Sequence, residues 1–96
     1  MLFQVEMTVN LPVDMPERAA ADIKAKEKAY AQEIQNAGEW RHIWRVAGTY
    51  SNLSIFDVKD IDRLHEILSG LPLFPYMAIA VKPLVRHPSS VRADDS

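Results

Sequence analysis

Residues 39–58, "EWRHIWRVAGTYSNLSIFDV", have the pattern of a β-hairpin between two helical segments. The flanks "EWRHIWRV" (39–46) and "YSNLSIFDV" (50–58) are rich in aromatic and β-branched residues, and "AGT" (47–49) supplies a turn. We therefore predict two consecutive antiparallel strands in the middle of the chain.

A strand and a long helix are predicted before this hairpin. Residues 2–10 alternate apolar and polar side chains, which is the period of a half-buried strand. The segment 14–38 then has helical composition. Asp14 is expected to cap its first turn in a D-x-x-E box with Glu17, and Gly38 to end it in a left-handed conformation.

A second helix and a last strand are predicted after the hairpin. Asp60 opens the helix, Gly70 ends it, and "MAIAV" (77–81) forms the strand. From Pro83 the periodicity is lost, which predicts an extended tail. The order β-α-β-β-α-β indicates an α+β, ferredoxin-like fold, with a four-stranded antiparallel sheet and two helices on one face.

The length, charge and composition of the chain argue against several classes of function. Ninety-six residues with a hydrophobic fraction of 48% fit one domain, 1–96, whose modest core favours oligomerisation. A formal net charge of -2 argues against nucleic-acid binding. The chain has no cysteine and no apolar run long enough for a bilayer. We expect a soluble cytoplasmic protein without nucleic-acid or membrane partners.

One carboxylate interrupts the apolar stripe of the first predicted helix. At about 100° per residue, Glu27 falls between Ile23 and Tyr30 on the side that should face the sheet. Desolvation there would raise its pKa toward neutrality, as a general base requires. The structural alternative is that Glu27 pairs with Lys24, Lys28 or an arginine of the sheet.

The first hairpin strand carries bulky side chains on both predicted faces. Strict alternation places Trp40, His42 and Trp44 on one side and Arg41, Ile43 and Arg45 on the other. Two arginines on one face can clamp a carboxylate, although a solvated face is the ordinary interpretation. The tryptophans are explained by core packing, and His42 by a structural role. A register slip of one residue would exchange Arg41 for His42.

The second hairpin strand has a polar row, Tyr50, Asn52 and Ser54, and an apolar pair, Leu53 and Ile55. Because helices cover one face, we expect the polar row to face water, a partner subunit or a ligand, and it suits an oxygen-rich anion. The three histidines are scattered, and no glycine-rich phosphate loop exists, so no metal and no cofactor are expected.

Four stretches resemble the muconolactone Δ-isomerase family: "MLFQVEMTVNLPVDM" (1–15), "EKAYAQEIQNAGEWRHIWRVAGTYSNLSIFDV" (27–58), "LPLFPYMAIAV" (71–81) and "RHPSS" (86–90). The resemblance implies a cytoplasmic, cofactor-free enzyme of the β-ketoadipate pathway, which degrades catechol. It also implies subunits paired as dimeric α+β barrels, a homodecamer, and a tail, 84–96, that reaches a neighbour's pocket.

The implied reaction is a proton shift on a small lactone carboxylate, which needs a base, a cation for the acetate arm and donors for an enolate oxygen. The candidate catalytic residues are Glu27, Tyr50 and Asn52, and the candidate substrate-binding residues are Arg41, Arg45, His42 and Trp44. Glu27 is the base, in a position where the family pattern has a glutamate. Arg41 is the first choice for the acetate and Arg45 the second, and the tryptophans wall off the site.

Three alternatives remain at this point. A chloromuconolactone dehalogenase would start with the same proton abstraction and then expel chloride. A non-catalytic ligand-binding or assembly module would leave Glu27 exposed and ion-paired. A cofactor-free monooxygenase of the dimeric α+β barrel group would consume oxygen and a phenolic substrate.

Overall fold

The computed structural model describes residues 1–92 and 94, and it has the predicted β-α-β-β-α-β order. The elements are β1 (Leu2–Val9), α1 (Glu17–Asn36), β2 (Trp40–Arg45), β3 (Ser51–Asp57), α2 (Ile61–Ser69), a 3-10 turn (Phe74–Tyr76) and β4 (Met77–Leu84). The strands form one sheet in the order β2-β3-β1-β4, and neighbouring strands are antiparallel. The predicted α+β class is thus confirmed.

The core lies between one face of the sheet and the two helices. The central strand β1 contributes Phe3, Val5 and Met7, all fully buried, and α2 contributes Leu64 and Ile67. Burying a side chain of this size stabilises the fold by about 1.5–3 kcal/mol. The alternation predicted for residues 2–10 is therefore confirmed, with its polar side on the open face of the sheet.

The start of α1 differs from the prediction. Pro16 is the N-cap residue, with φ -57° and ψ 142°, and no side chain caps the helix, so the predicted Asp14 cap is wrong. A residue before proline is disfavoured in the helical region, which keeps Met15 out of the helix. Met15 instead closes a turn by donating its N–H to the carbonyl of Pro12 across 3.1 Å.

The other predicted helix boundaries are confirmed. Gly38 follows α1 with φ 92°, the left-handed conformation that glycine adopts at low cost. Asp60 caps α2, since its Oδ1 accepts the N–H of Arg63 across 2.8 Å. Gly70 is the C-cap residue of α2.

The last strand is longer than predicted. β4 continues through Pro83 to Leu84, so the tail does not begin at Pro83. Because β4 is an edge strand, one of its sides needs no hydrogen-bond donor, and proline is tolerated there. Residues 93, 95 and 96 of the predicted tail lie outside the described residues.

A β-bulge changes the faces of β2. Trp40 pairs with Phe56 and His42 pairs with Ile55, so Arg41 is the additional residue. Directly opposed residues share a face. The helix side of β2 therefore carries Trp40, Ile43 and Arg45, while His42 and Trp44 lie on the open side. The predicted alternation, which grouped Trp40 with His42 and Trp44, is wrong after Trp40.

The faces of β3 also differ from the expectation. Asn52 and Ser54 lie opposite Met7 and Val5 of β1, which face the helices. The apolar pair Leu53 and Ile55 lies on the open face instead. Neither helix in the described part of the chain is long and apolar enough to cross a membrane.

Candidate active site

A cavity of about 510 Å³ lies between α1 and the helix side of the sheet. Helix α1 forms one wall with Lys24, Glu27 and Lys28, and the β2–β3 hairpin forms the other. The bulge in β2 produces this arrangement, because it directs Arg45 to the same side of the sheet as Trp40. One inward carboxylate therefore shares a cavity with several cations.

Glu27 is half-buried in the wall of this cavity. Its Oε1 accepts a hydrogen bond from the backbone N–H of Leu73 across 2.9 Å. Within residues 1–92 and 94, no lysine or arginine nitrogen lies within 4.0 Å of its carboxylate. Desolvation by burial raises the pKa of Glu27, and the bond from Leu73 offsets part of that rise. The alternative that Glu27 is ion-paired is not what the structure shows.

Three cations line the cavity: Lys24, Lys28 and Arg45. Lys24 Nζ lies 5.3 Å and the Arg45 guanidinium carbon 5.0 Å from the centroid of the Tyr50 ring. Contacts of this kind hold cations by electrostatic attraction to the ring. None of the three is within 4.0 Å of a carboxylate in the described residues, so their charges are available to an anion.

Neutral hydrogen-bonding groups complete the lining. Asn52 accepts a hydrogen bond at Oδ1 from the Ser54 hydroxyl across 2.8 Å, and its amide nitrogen has no partner among the described residues. Tyr50 is 47% exposed at the cavity mouth. Trp40 is buried, and its indole N–H has no acceptor within the described residues. The amide nitrogen of Asn52 and the hydroxyl of Tyr50 can donate to oxygen atoms of a bound molecule, whereas the indole N–H of Trp40 is itself buried.

Three of the predicted substrate-binding residues lie away from this cavity. Arg41 and His42 border a second cavity of about 370 Å³ on the open face, together with Arg86 and His87 of the tail. Arg41 Nη1 is 3.9 Å from Asp57 Oδ2. Trp44 stacks on His42 with the ring centroids 5.0 Å apart. The structure thus brings together Glu27, Arg45, Tyr50 and Asn52, and it separates Arg41, His42 and Trp44 from them.

Sequence reasoning overlooked several lining residues. From the sequence we predict Lys24 and Lys28 as neighbours of Glu27 and not as part of the site. On a helical wheel they lie about 60° and 100° from Glu27 on the same side, so the sequence already indicates that they can share a site with it. The sequence predicts Trp40 as a core residue that helps to wall off the site, and periodicity gives no sign that its indole N–H is left without an acceptor among the described residues. Leu73 follows Glu27 by 46 residues, and no local pattern predicts that contact.

No metal site accompanies this cavity. Within the described residues, no group of three or more histidine, aspartate and glutamate side chains is arranged to hold a metal ion.

A family profile and individual relatives match this chain over nearly its whole length. The family profile described as muconolactone delta-isomerase matches residues 1–90. The chain is 65% identical over 96 residues to "Muconolactone Delta-isomerase" of Acinetobacter baylyi, covering 100% of both chains. It is 62% identical over 92 residues to the protein of that name in Cupriavidus pinatubonensis, covering 96% of this chain and 100% of the relative.

The chain is also similar to solved structures. A crystal structure of muconolactone isomerase superposes with a TM-score of 0.95 at 56% identity, covering 100% of both chains. A 5-chloro-2-hydroxyhydroquinone dehydrochlorinase from Burkholderia phenoliruptrix superposes with a TM-score of 0.63 at 15% identity, covering 91% of this chain and 96% of the other. At that identity the second likeness shows a shared fold and nothing more.

Proposed function

This chain belongs to the muconolactone Δ-isomerase family, and from that premise we propose that it isomerises (S)-muconolactone to β-ketoadipate enol-lactone. The reaction moves one proton and transposes one C=C bond. A base removes the proton from the ring carbon that bears the acetate arm, which gives a dienolate. The proton then returns to the carbon next to the lactone carbonyl, so atoms and electrons balance without a further reactant.

We assign the proton transfer to Glu27, and its position is the observation that carries the proposal. It is half-buried, it has no cationic partner within 4.0 Å in the described residues, and its pKa is raised. A carboxylate with a raised pKa accepts a proton more readily near neutral pH and can release it again. The Leu73 N–H holds one oxygen and leaves the other for the substrate.

We assign the acetate arm to Arg45. The bulge leaves Arg45 in the same cavity as Glu27 and Arg41 on the opposite face of the sheet. Arg45 is therefore favoured over Arg41 as the residue that binds the acetate. A guanidinium binds a carboxylate through two parallel hydrogen bonds. Lys24 and Lys28 add positive potential, which also stabilises the charge that develops on the ring.

The amide N–H of Asn52 and the hydroxyl of Tyr50 are the donors for the enolate oxygen in this proposal. Both line the cavity, on the wall opposite α1. Preorganised donors at a developing oxyanion contribute about 10²- to 10³-fold to a rate. Glu27, Arg45 and Asn52 therefore supply the three functions that the proton shift requires.

The isomerase is favoured over the alternatives. The relatives that match over nearly their whole length carry the isomerase name, whereas the dehydrochlorinase is alike in fold alone. A non-catalytic module would leave Glu27 exposed and ion-paired, contrary to its burial. Nothing in the cavity favours an oxygen-consuming reaction on a phenol.

The decisive experiment adds the purified protein to (S)-muconolactone without metal or cofactor. Isomerisation removes the conjugation between the C=C bond and the lactone carbonyl, so ultraviolet absorbance falls. A rapid fall that Glu27→Gln abolishes supports the proposal. Release of chloride from the chlorinated lactone, with no turnover of the plain one, would favour the dehalogenase instead.

We also propose that two copies pair through the open face of the sheet. This face exposes apolar surface, with Trp44 54% exposed beside Leu53 and Ile55. A second copy would cover that surface, as in the dimeric α+β barrel that the family resemblance implies. The cytoplasmic homodecamer rests on the same resemblance. Sedimentation analysis tests the pairing, and Ile55→Lys should give a folded monomer.

A further inference from the structure

Ser54 is the one fully buried polar side chain in the described core, with 0% of its surface exposed. It lies in β3 between Val5 and Ile43 on the neighbouring strands. A hydroxyl in such surroundings is destabilising unless it is hydrogen-bonded. Valine or alanine would serve a purely structural role at this position more simply.

The hydroxyl of Ser54 donates to Oδ1 of Asn52 across 2.8 Å, and this is its one hydrogen bond within residues 1–92 and 94. If the Asn52 amide were turned around, Ser54 would have to accept, and its own hydrogen would be left in the core without an acceptor. The bond therefore selects one orientation of the amide, with Oδ1 engaged by Ser54 and the two N–H bonds left for other acceptors.

Asn52 lines the catalytic cavity, and its amide nitrogen has no partner among the described residues. We propose that Ser54 is a positioning residue that fixes the Asn52 amide so that an N–H, and not the carbonyl, meets the enolate oxygen. The inference rests on the proposed function. An Asn52 carbonyl turned toward the developing negative charge would oppose the reaction, so the orientation affects the transition state more than substrate binding.

The test is a double-mutant cycle in which kcat and KM of the full chain are measured. Ser54→Ala should lower kcat about tenfold and change KM by less than about twofold, because the donor is disordered but still present. In the Asn52→Ala background, Ser54→Ala should cause no further loss of kcat. Ser54→Thr restores the hydroxyl and should recover most of kcat in protein whose thermal midpoint shows that it folds.

Ser69→Ala is the matched control, because it deletes a serine hydroxyl that donates to the carbonyl of His65 across 2.7 Å on α2, outside the cavity. It should leave kcat unchanged. An equal loss of kcat from Ser54→Ala with and without Asn52 would overturn the proposal, as would a Ser54→Ala variant as active as wild type.

A binding measurement separates this inference from the proposed function. Calorimetry would compare cyclopentylacetate with 5-oxotetrahydrofuran-2-acetate, a saturated lactone with the same acetate arm whose carbonyl oxygen can accept a hydrogen bond but not donate one. Wild type should prefer the lactone by about threefold or more, as a neutral hydrogen bond provides, and Ser54→Ala should remove the preference. Absence of binding of either probe would count against the proposed acetate site. Binding of both probes by wild type without a preference would overturn the role of Ser54.

Discussion

The backbone N–H of Leu73 holds the carboxylate of Glu27 across 2.9 Å, although 46 residues separate them. The contact joins the middle of α1 to the connector that precedes β4, and it fixes one oxygen of a carboxylate that has no cationic partner within 4.0 Å among the described residues. Burial favours the protonated form of Glu27, and this hydrogen bond favours the ionised form. The balance leaves a raised pKa, so the carboxylate can both take and return a proton.

Glu27→Gln should lower kcat by about 10²- to 10⁴-fold, the range that a general base contributes. The amide keeps the size of the side chain and can still accept from Leu73, so the fold should persist. Steady-state kinetics on muconolactone measures the effect. Glu33→Gln, an exposed change on the same helix, is the control. A loss below tenfold would remove Glu27 from the role of base.

The same substitution should stabilise the protein at neutral pH. Because the folded pKa of Glu27 lies above its ordinary value of 4.5, the native state holds more protons than the unfolded state between the two values. Stability therefore falls as pH rises through that window, and the deficit persists above it. Glutamine does not titrate, so urea midpoints of the two proteins should differ more at pH 8 than at pH 4. A constant difference would contradict the raised pKa.

The rate of catalysis should depend on the same ionisation of Glu27, but it should rise with pH whereas the stability falls. The base must be ionised to accept a proton, so kcat/KM should fall as pH drops through the raised pKa of Glu27 in the free enzyme. The acidic limb should therefore lie above the range of an ordinary glutamate. A pH profile of kcat/KM for muconolactone locates this limb. A limb centred near 4.5 would show that burial does not govern the catalytic carboxyl.

Arg45→Ala should raise KM by about 10- to 100-fold, the cost of removing one partner of a charge-assisted pair. Arg41→Ala is the matched control, since it deletes the same group on the opposite face of the sheet. Kinetics should be accompanied by sedimentation, because Arg41 borders the face proposed for pairing. A larger KM effect from Arg41, with assembly intact, would reverse the assignment.

The sequence predicts the order of elements and the inward position of Glu27, because both follow from periodicity along a single element. It does not predict the bulge at Arg41. A bulge adds one residue without a change in composition, and β2 has bulky side chains on both faces, so no polarity contrast marks the shift. The face of Arg45 and the contact from Leu73 depend on tertiary pairing, and for that reason they required the structure.

Gly70 and Tyr30 make the packing of α2 against α1 testable. The Tyr30 hydroxyl donates to the carbonyl of Ile67 across 2.8 Å, and a Cβ added at Gly70 would lie 2.6 Å from that hydroxyl. The backbone at Gly70 is helical, with φ -84°, so the clash and not the conformation opposes alanine. Gly70→Ala should cost about 1–3 kcal/mol of unfolding free energy, as overpacking does.

Tyr30→Phe should relieve most of that cost, because it removes the atom that the new methyl group would meet. Alone it should destabilise by about 1 kcal/mol through the lost hydrogen bond. In its background, Gly70→Ala should be nearly neutral, since the nearest remaining atoms lie 3.3 Å away and small shifts accommodate them. Urea denaturation of the four proteins at one protein concentration gives the coupling energy. Additive effects would mean that the two residues do not compete for the same space.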